Sequence, residues 1–173
     1  MRTVTVLEIN EKRNLGFRPE VVGCFLHNKK IFLFYDKKYD LWQFPQGGVR
    51  NLEEIKNALL REMTEELGNT LYSQVKNEEF FAEDKIHFPK KYWGNRTLKN
   101  DSGREVMMKG KYYYAFAIQI NTKDVTIEET EFDGYILASF DQARILLQKI
   151  RQHEKRRVSM RFLKILTEKK LIV

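Results

Sequence analysis

The stretch GGVRNLEEIKNALLREMTEELG, residues 47–68, decides how the rest of the chain is read. Asn51 followed three residues later by Glu54 predicts a capping-box start to a helix. Leu52, Ile55, Leu59, Met63 and Leu67 then recur at helical spacing, and Gly68 supplies the stop. Glu62, Glu65 and Glu66 stand at i, i+3 and i+4, which places the three carboxylates on one face of that helix. Like charges at this spacing cost about 0.2–0.5 kcal/mol per pair, so a cation that neutralises them explains the cluster. Carboxylate oxygens are hard ligands and suit magnesium or manganese, which bridge such groups to phosphates. An ordinary solvated acidic face is the competing reading. The glycines ahead of the helix and Arg61 beside Glu62 weigh against it.

Working outward, LWQFP at 41–45 reads as a short strand ended by proline and running into the loop of Gly47 and Gly48. Before it, EVVGCFLHNKKIFLFYD at 20–36 predicts two strands joined around His27, Asn28, Lys29 and Lys30 as a hairpin. After the helix, LYSQV at 71–75 and EFFAE at 79–83 are β-prone, and the Lys- and Asn-rich segment 85–104 reads as a loop or arm. Residues 105–120, EVMMKGKYYYAFAIQI, predict a strand pair or one strand bulged near Gly110, and GYILASF at 134–140 another strand. Asp141 is the expected cap of a helix through ARILLQKIRQHEKRR, with a second helix through MRFLKILTEKK. Leu147, Ile150, Phe162 and Ile165 are the expected packing residues of this region. Strands interleaved with helices predict an α/β fold.

A length of 173 residues, without repeats or a low-complexity linker, fits one domain over 1–173. With 42% apolar and 32% charged residues the chain is too apolar to be disordered. It has no run of eighteen apolar residues, and its start, MRTVTVLEINEKR, lacks the pattern of a secretory signal, so a cytoplasmic protein away from the membrane is expected. The lone Cys24 lies in an apolar run and reads as core packing, which suits a reducing compartment. His27, His87 and His153 lack metal-ligand spacing, and no Ser or Cys nucleophile motif appears. The net charge of +7 favours polyanionic partners such as polyphosphates or RNA, and no stable protein partner can be inferred.

Gly47, five residues, Glu53, seven residues, Arg61, Glu62, Met63, one residue, Glu65, Glu66, one residue and Gly68 together resemble the Nudix box, here residues 47–69. Asn69 stands where the family has an aliphatic residue, and Arg50, Asn51 and Leu52 replace the usual Pro-Gly turn before Glu53. A narrower resemblance, to bacterial RNA pyrophosphohydrolases and related dinucleoside polyphosphate hydrolases, is carried by LWQFPQGGV at 41–49, FRPEVVG at 17–23 and EFDGY at 131–135. With KGKYYYAF at 109–116 it spans roughly residues 17–165. Ile86, His87, Phe88 and Pro89 stand where relatives have a Tyr-Asp-Phe-Pro type of segment, so a substrate-binding tyrosine is absent there, and Tyr92 is only a candidate to replace it.

The resemblance implies an α/β/α sandwich with a mixed β-sheet and a magnesium- or manganese-dependent hydrolase of phosphoanhydride bonds. Glu62, Glu65 and Glu66 would be metal ligands, joined by the backbone carbonyl of Gly47. Glu131 would be a further ligand or the base that activates water, with Glu65 as its rival for that proton. Glu53 and Arg61 would pair and hold loop and helix in register. Arg18 and Lys111 would contact phosphates, and Phe132 or a nearby aromatic would stack on a base; a strand-surface cation and a core ring are the plainer readings of Lys111 and Phe132. Lys155, Arg156, Arg157 and Arg161 read first as a solvated helix face and second as an RNA contact. The implied substrate is RNA with a 5′-triphosphate, converted to a 5′-monophosphate end; the alternative is a dinucleoside polyphosphate such as diadenosine tetraphosphate. A reading of another class is a Nudix-fold RNA-binding or regulatory protein that hydrolyses nothing, against which the intact set of Glu62, Glu65 and Glu66 argues.

Overall fold

The two apolar runs at 20–36 form the expected hairpin: β1 (Phe17–His27) and β2 (Lys30–Asp36) pair antiparallel across a turn in which Asn28 and Lys29 take φ of 47° and 59°. Positive φ at both central positions is the turn geometry whose twist matches a hairpin. In the computed structural model, which describes residues 3–173, β1 is buried along nearly its whole length because both of its faces are covered. Its neighbour β8 (Gly110–Ile120) runs parallel to it, and β5 (Val75–His87) is antiparallel to β8. With β3 (Leu41–Gln43) the order is β3-β2-β1-β8-β5, while β4 (Gln46–Gly48) pairs with β1 and β9 (Gly134–Ala138) with β2. The sheet is therefore mixed, as expected.

Alternation along the strands sends side chains to opposite faces. Val21, Phe25, Tyr114, Phe116 and Ile118 meet Leu59, Met63 and Leu67 of α2 (Ile55–Tyr72) and Ile9 of α1 (Val6–Asn14). On the other face, Val22, Cys24, Leu26 and Ala115 meet Leu147 of α3 (Phe140–Gln148) and Phe162 and Leu166 of α4 (His153–Glu168). These are the three layers of an α/β/α sandwich. Burying Leu59, Met63 and Leu67, each at most 1% exposed, contributes about 1.5–3 kcal/mol apiece. That exceeds the like-charge cost of the acidic face, so packing alone can hold α2 with its carboxylates side by side.

Several boundaries differ from the sequence expectation. Asn51 does not cap α2; its Nδ2 donates to the Lys99 carbonyl and to Asp101, and Glu54 takes the cap position without a side-chain bond. Leu52 is not on the buried face but 69% exposed, at φ 59° in the preceding loop. Gly68 breaks the helix with φ 80°, and another turn follows to Tyr72, so of LYSQV only Val75 lies in a strand, as the first residue of β5. A single strand, β5, absorbs EFFAE and the first residues of the expected arm. The arm itself contains β6 (Thr97–Lys99), paired with β7 (Glu105–Met107) in a separate two-stranded sheet. Gly110 marks no bulge; it opens β8 where a Cβ would collide with the Ile86 carbonyl of β5. Ser139, not Asp141, caps α3 in a capping box with Gln142, and of the two expected helices the first ends already at Gln148, its HEKRR segment joining the second in α4. Ile165 is only partly buried, and Leu163 and Leu166 carry the packing beside it. The helix α1, capped by Thr5 with Glu8, was not expected.

Candidate functional site

The loop between β4 and α2 lies over the acidic face of the helix because Arg61 binds both. Its Nε and Nη2 donate to the two Glu53 oxygens at 2.9 and 2.8 Å, Nη2 also reaches the Gly48 carbonyl at 2.9 Å, and Nη1 bonds Glu62. This two-pronged geometry is one that lysine cannot copy. Hydrogen bonding to Glu53 chiefly raises the Arg61 pKa beyond its ordinary value. Burial opposes ionisation of Glu53, but hydrogen bonds from Arg61 and the Arg50 N–H outweigh it and hold its pKa low. The sequence-predicted pair of Glu53 and Arg61 is thus in contact.

The loop is also held from behind by two residues that sequence reasoning missed. Arg13 of α1, 3% exposed, donates to the carbonyls of Val49 and Arg50 at 2.9 and 2.8 Å and pairs with Asp101 at 3.0 Å. Asp101 accepts as well from the Leu52 N–H and the Asn51 amide. Each lies in a segment that reads as ordinary polar surface, so only the tertiary structure shows the contact.

Glu62 leans on Gly47, where any Cβ would overlap its carboxylate. Glu66 accepts a hydrogen bond from the Gln46 N–H at 2.9 Å. Burial, followed by the charges of Glu131, Glu62 and Glu20, pushes the Glu66 carboxyl up to about 8. The Glu131 N–H donates to the Glu66 carbonyl at 2.8 Å, which brings residue 131 to the same turn of α2. Glu65 points outward, with its side chain 52% exposed and 3.6 Å from both Arg50 and Arg61. As the side chains lie, no three of the His, Cys, Asp and Glu residues among those described form a closed metal cage. The donor set nevertheless fits a hard divalent cation: carboxylate oxygens, a glycine whose missing side chain leaves room for Glu62, and an acid whose pKa is raised first by burial and then by its acidic neighbours.

Glu66 forms part of the wall of a cleft of about 630 Å³ that also carries Gln43, Gln46, Lys111, Arg151 and Lys155. Arg18 and Lys111 are register partners across β1 and β8. Between them sits Glu20, 3% exposed, with Lys111 Nζ at 2.8 Å and Arg18 Nε at 3.6 Å. Glu20 was not singled out by sequence reasoning, though an acid inside the apolar run PEVVG is a usable signal. Lys155 was read as a solvated helix face, and the structure corrects this: it turns into the cleft and donates to Gln43 at 2.6 Å. Burial, then the Lys111 charge, lowers the Lys155 pKa to about 8. Arg157 and Arg161 instead pair with Asp84 at 2.9 Å on the outside of β5. Phe132 is a core ring, 9% exposed and 5.2 Å from Phe34 between centroids, so it presents no face for a base to stack on.

A family model described as NUDIX domain matches residues 17–162. An RNA pyrophosphohydrolase of Campylobacter jejuni is 31% identical over 167 residues, covering 92% of this chain and 97% of its own length. One from Haemophilus ducreyi is 29% identical over 137 residues, 72% of this chain; the match spans only 64% of that longer relative. Among solved structures, a NUDIX hydrolase from Nitrosomonas europaea superposes with a TM-score of 0.59 at 16% identity, over 89% of this chain and 90% of that one. That likeness carries the fold alone.

Proposed function

The chain belongs to the Nudix hydrolase family, and on that premise we propose that it is a magnesium-dependent RNA pyrophosphohydrolase, converting 5′-triphosphate RNA to 5′-monophosphate RNA in the cytoplasm. The observation that carries the proposal is the shared wall of the cleft, where the buried carboxylate of Glu66 stands with the cations Lys111, Arg151 and Lys155. Carboxylates for a metal and ammonium groups for phosphates, in one cavity, suit attack on a polyanion. The 31% identical RNA pyrophosphohydrolase, matched along nearly its whole length, supports the choice of RNA. Diadenosine tetraphosphate uses the same chemistry and remains the alternative.

In this reading Glu62, Glu65 and Glu66 would hold the metal together with the Gly47 carbonyl, and Glu131 would be a further ligand or the base. A divalent cation bound there supplies charge neutralisation of the phosphates and acidity for the attacking water. The protein does the rest. Arg61 and Glu53 fix the loop carrying Gly47 against the helix carrying Glu62. Lys111, Arg18 and Lys155 orient the polyphosphate and offset its charge. Glu131, with Glu65 as rival, accepts the proton of the water whose oxygen joins phosphorus as the phosphoanhydride bond breaks and pyrophosphate departs. Parallel rates on 5′-triphosphorylated RNA and diadenosine tetraphosphate in magnesium test the reading. Faster RNA conversion is expected; faster dinucleotide cleavage would move the assignment to the alternative, and no turnover of either would sink it.

Two variants probe the parts. Gly47→Ala drives a methyl into the Glu62 carboxylate. A displacement of about 1 Å in such a site costs on the order of 10²-fold, the loss of kcat expected here. Because Lys155 has its pKa near 8, it is charged below that pH and neutral above it. KM for the polyanionic substrate is therefore expected to rise as pH passes about 8, and Lys155→Met should show the high KM at every pH. A KM profile unchanged in Lys155→Met would remove this residue from phosphate binding.

A further inference from the structure

The turn between β4 and α2, residues 49–54, contains neither proline nor glycine, yet Leu52 takes φ 59° there and stands 69% exposed. A leucine in left-handed backbone is crowded and, at this exposure, gains little from burial, so contacts from outside must hold the turn. Three consecutive carbonyls are fixed by guanidinium groups: Gly48 by Arg61 Nη2 at 2.9 Å, and Val49 and Arg50 by Arg13 Nη2 at 2.9 and 2.8 Å. Arg61 reaches the turn from α2 and Arg13 from α1, a helix that lies ahead of the residues 17–162 matched by the family model.

A second hold comes from the arm. Between residues 85 and 104 the chain carries Lys85, Lys90, Lys91, Arg96, Lys99 and Arg104 against one acid, Asp101. A single oxygen of that acid, Oδ1, accepts from three donors: Arg13 Nη1 at 3.0 Å, Asn51 Nδ2 at 2.9 Å and the Leu52 N–H at 3.2 Å. Asp101 is presented by the tight turn joining β6 to β7, in which the Asn100 side-chain oxygen accepts from the N–H groups of Ser102 and Arg104. That turn is seated on α1, since the Asp101 N–H donates to Asn10 Oδ1 at 2.8 Å and Asn100 Nδ2 to Asn14 Oδ1 at 2.9 Å. Asn100 is 6% exposed and the Asp101 side chain 10%, so removing one member leaves its partners unpaired away from water. None of Arg13, Asn51, Leu52 and Asp101 lines the main cleft.

We propose that Asp101 and Arg13 are positioning residues for the reaction: they clamp the strained turn from behind and thereby fix Gly47 and Glu53 relative to the carboxylates of α2. The inference rests on the reading of that helix face as the metal site. A displacement of about 1 Å in such a site can cost 10²-fold in rate, so the clamp acts on turnover. Lys111 and Lys155, which would hold the phosphates, lie outside the clamp, so its loss falls on kcat and not on KM.

The test pairs steady-state kinetics with amide hydrogen exchange of the substrate-free protein. Asp101→Ala is expected to lower kcat on 5′-triphosphorylated RNA by about 10- to 10²-fold with KM within about twofold of the parent. Its Val49, Leu52 and Glu53 amides should exchange at least about tenfold faster, while those of β1 and β8 keep the parent's rates and show that the sheet is folded. Asp101→Asn keeps an oxygen for the Leu52 and Asn51 donors and should recover most of both losses. Arg13→Lys, without the fork that holds two carbonyls and Asp101 at once, should lower kcat as Asp101→Ala does. Parent-like exchange of the turn in Asp101→Ala, a parent-like kcat, or a loss that falls on KM alone would overturn the inference. Exchange needs no turnover and reads the clamp separately from the proposed activity. Faster exchange of the turn in Asp101→Ala, with no RNA hydrolysis by the parent, defeats only the proposed reaction; hydrolysis by the parent, with kcat and exchange unmoved in Asp101→Ala, defeats only the clamp.

Discussion

Replacing Glu66 by glutamine is expected to lower turnover by about 10³-fold while raising the melting temperature of the metal-free protein. The loss follows from removing a ligand: metal stabilisation of a phosphoryl-transfer transition state is worth several kcal/mol, and each 1.36 kcal/mol is about tenfold in rate. The gain in stability follows from burial. Glutamine keeps an oxygen for the Gln46 N–H and carries no charge, whereas burial and the acids around it push the Glu66 carboxyl up to about 8. A carboxyl raised above its unfolded value contributes its full stability below the unfolded pKa and loses it as pH rises through the folded one. The advantage of Glu66→Gln should therefore be small near pH 4.5, grow across the interval, and be complete above pH 8. At about 2–4 °C per kcal/mol for a domain of this size, the shift is readable by thermal melting. Magnesium should stabilise the parent at pH 8.5 and the variant much less. A variant that melts lower than the parent at pH 8.5 without metal would contradict this account of the carboxylate cluster.

Arg61→Ala is expected to damage stability and activity together. The guanidinium, 16% exposed, links Glu53, Glu62 and the Gly48 carbonyl, so its loss leaves two acids and a backbone acceptor without their shared donor. The network is partly buried, and losing a hydrogen bond to a charged group costs about 1.5–3 kcal/mol, which denaturant unfolding would read directly. Below the unfolding transition, kcat should still fall by about 10²-fold or more, because the Gly47 loop loses its tie to the helix. Arg61→Lys keeps the charge without the fork and should recover more stability than activity. A fully active Arg61→Ala would show that the loop needs no such tie.

The acidic face and its helix were legible because their information is local: four buried apolar residues at helical spacing and three glutamates lie within one segment. The hairpin was legible for the same reason, whereas the parallel pairing of β1 with β8, which makes the sheet mixed, joins Phe17 to Gly110 and was implied only by the family resemblance. Residues that meet across the fold were not legible. Lys155 and Gln43 are 112 positions apart, and a lysine on a helix gives no sign of which way it faces. Arg13 and Asp101 sit 88 positions apart and read as surface charges until the loop is seen between them. Leu52 misled because it fits the helical period, while its backbone takes a left-handed conformation ahead of the helix. Phe132 lies in the segment that resembles a family signature, yet on this chain its ring packs against Phe34. Family likeness transferred the backbone position better than the side-chain role.

If the carboxylates on α2 hold the divalent cation at the head of the cleft, Mn2+ binding followed by electron paramagnetic resonance will show it. The unaltered protein should bind Mn2+ tightly, Mg2+ should compete, and Glu62→Gln and Glu66→Gln should each weaken binding by at least about tenfold, the range seen when groups around a metal are lost. Mn2+ binding that is unchanged in both folded variants would place the metal elsewhere and contradict the account.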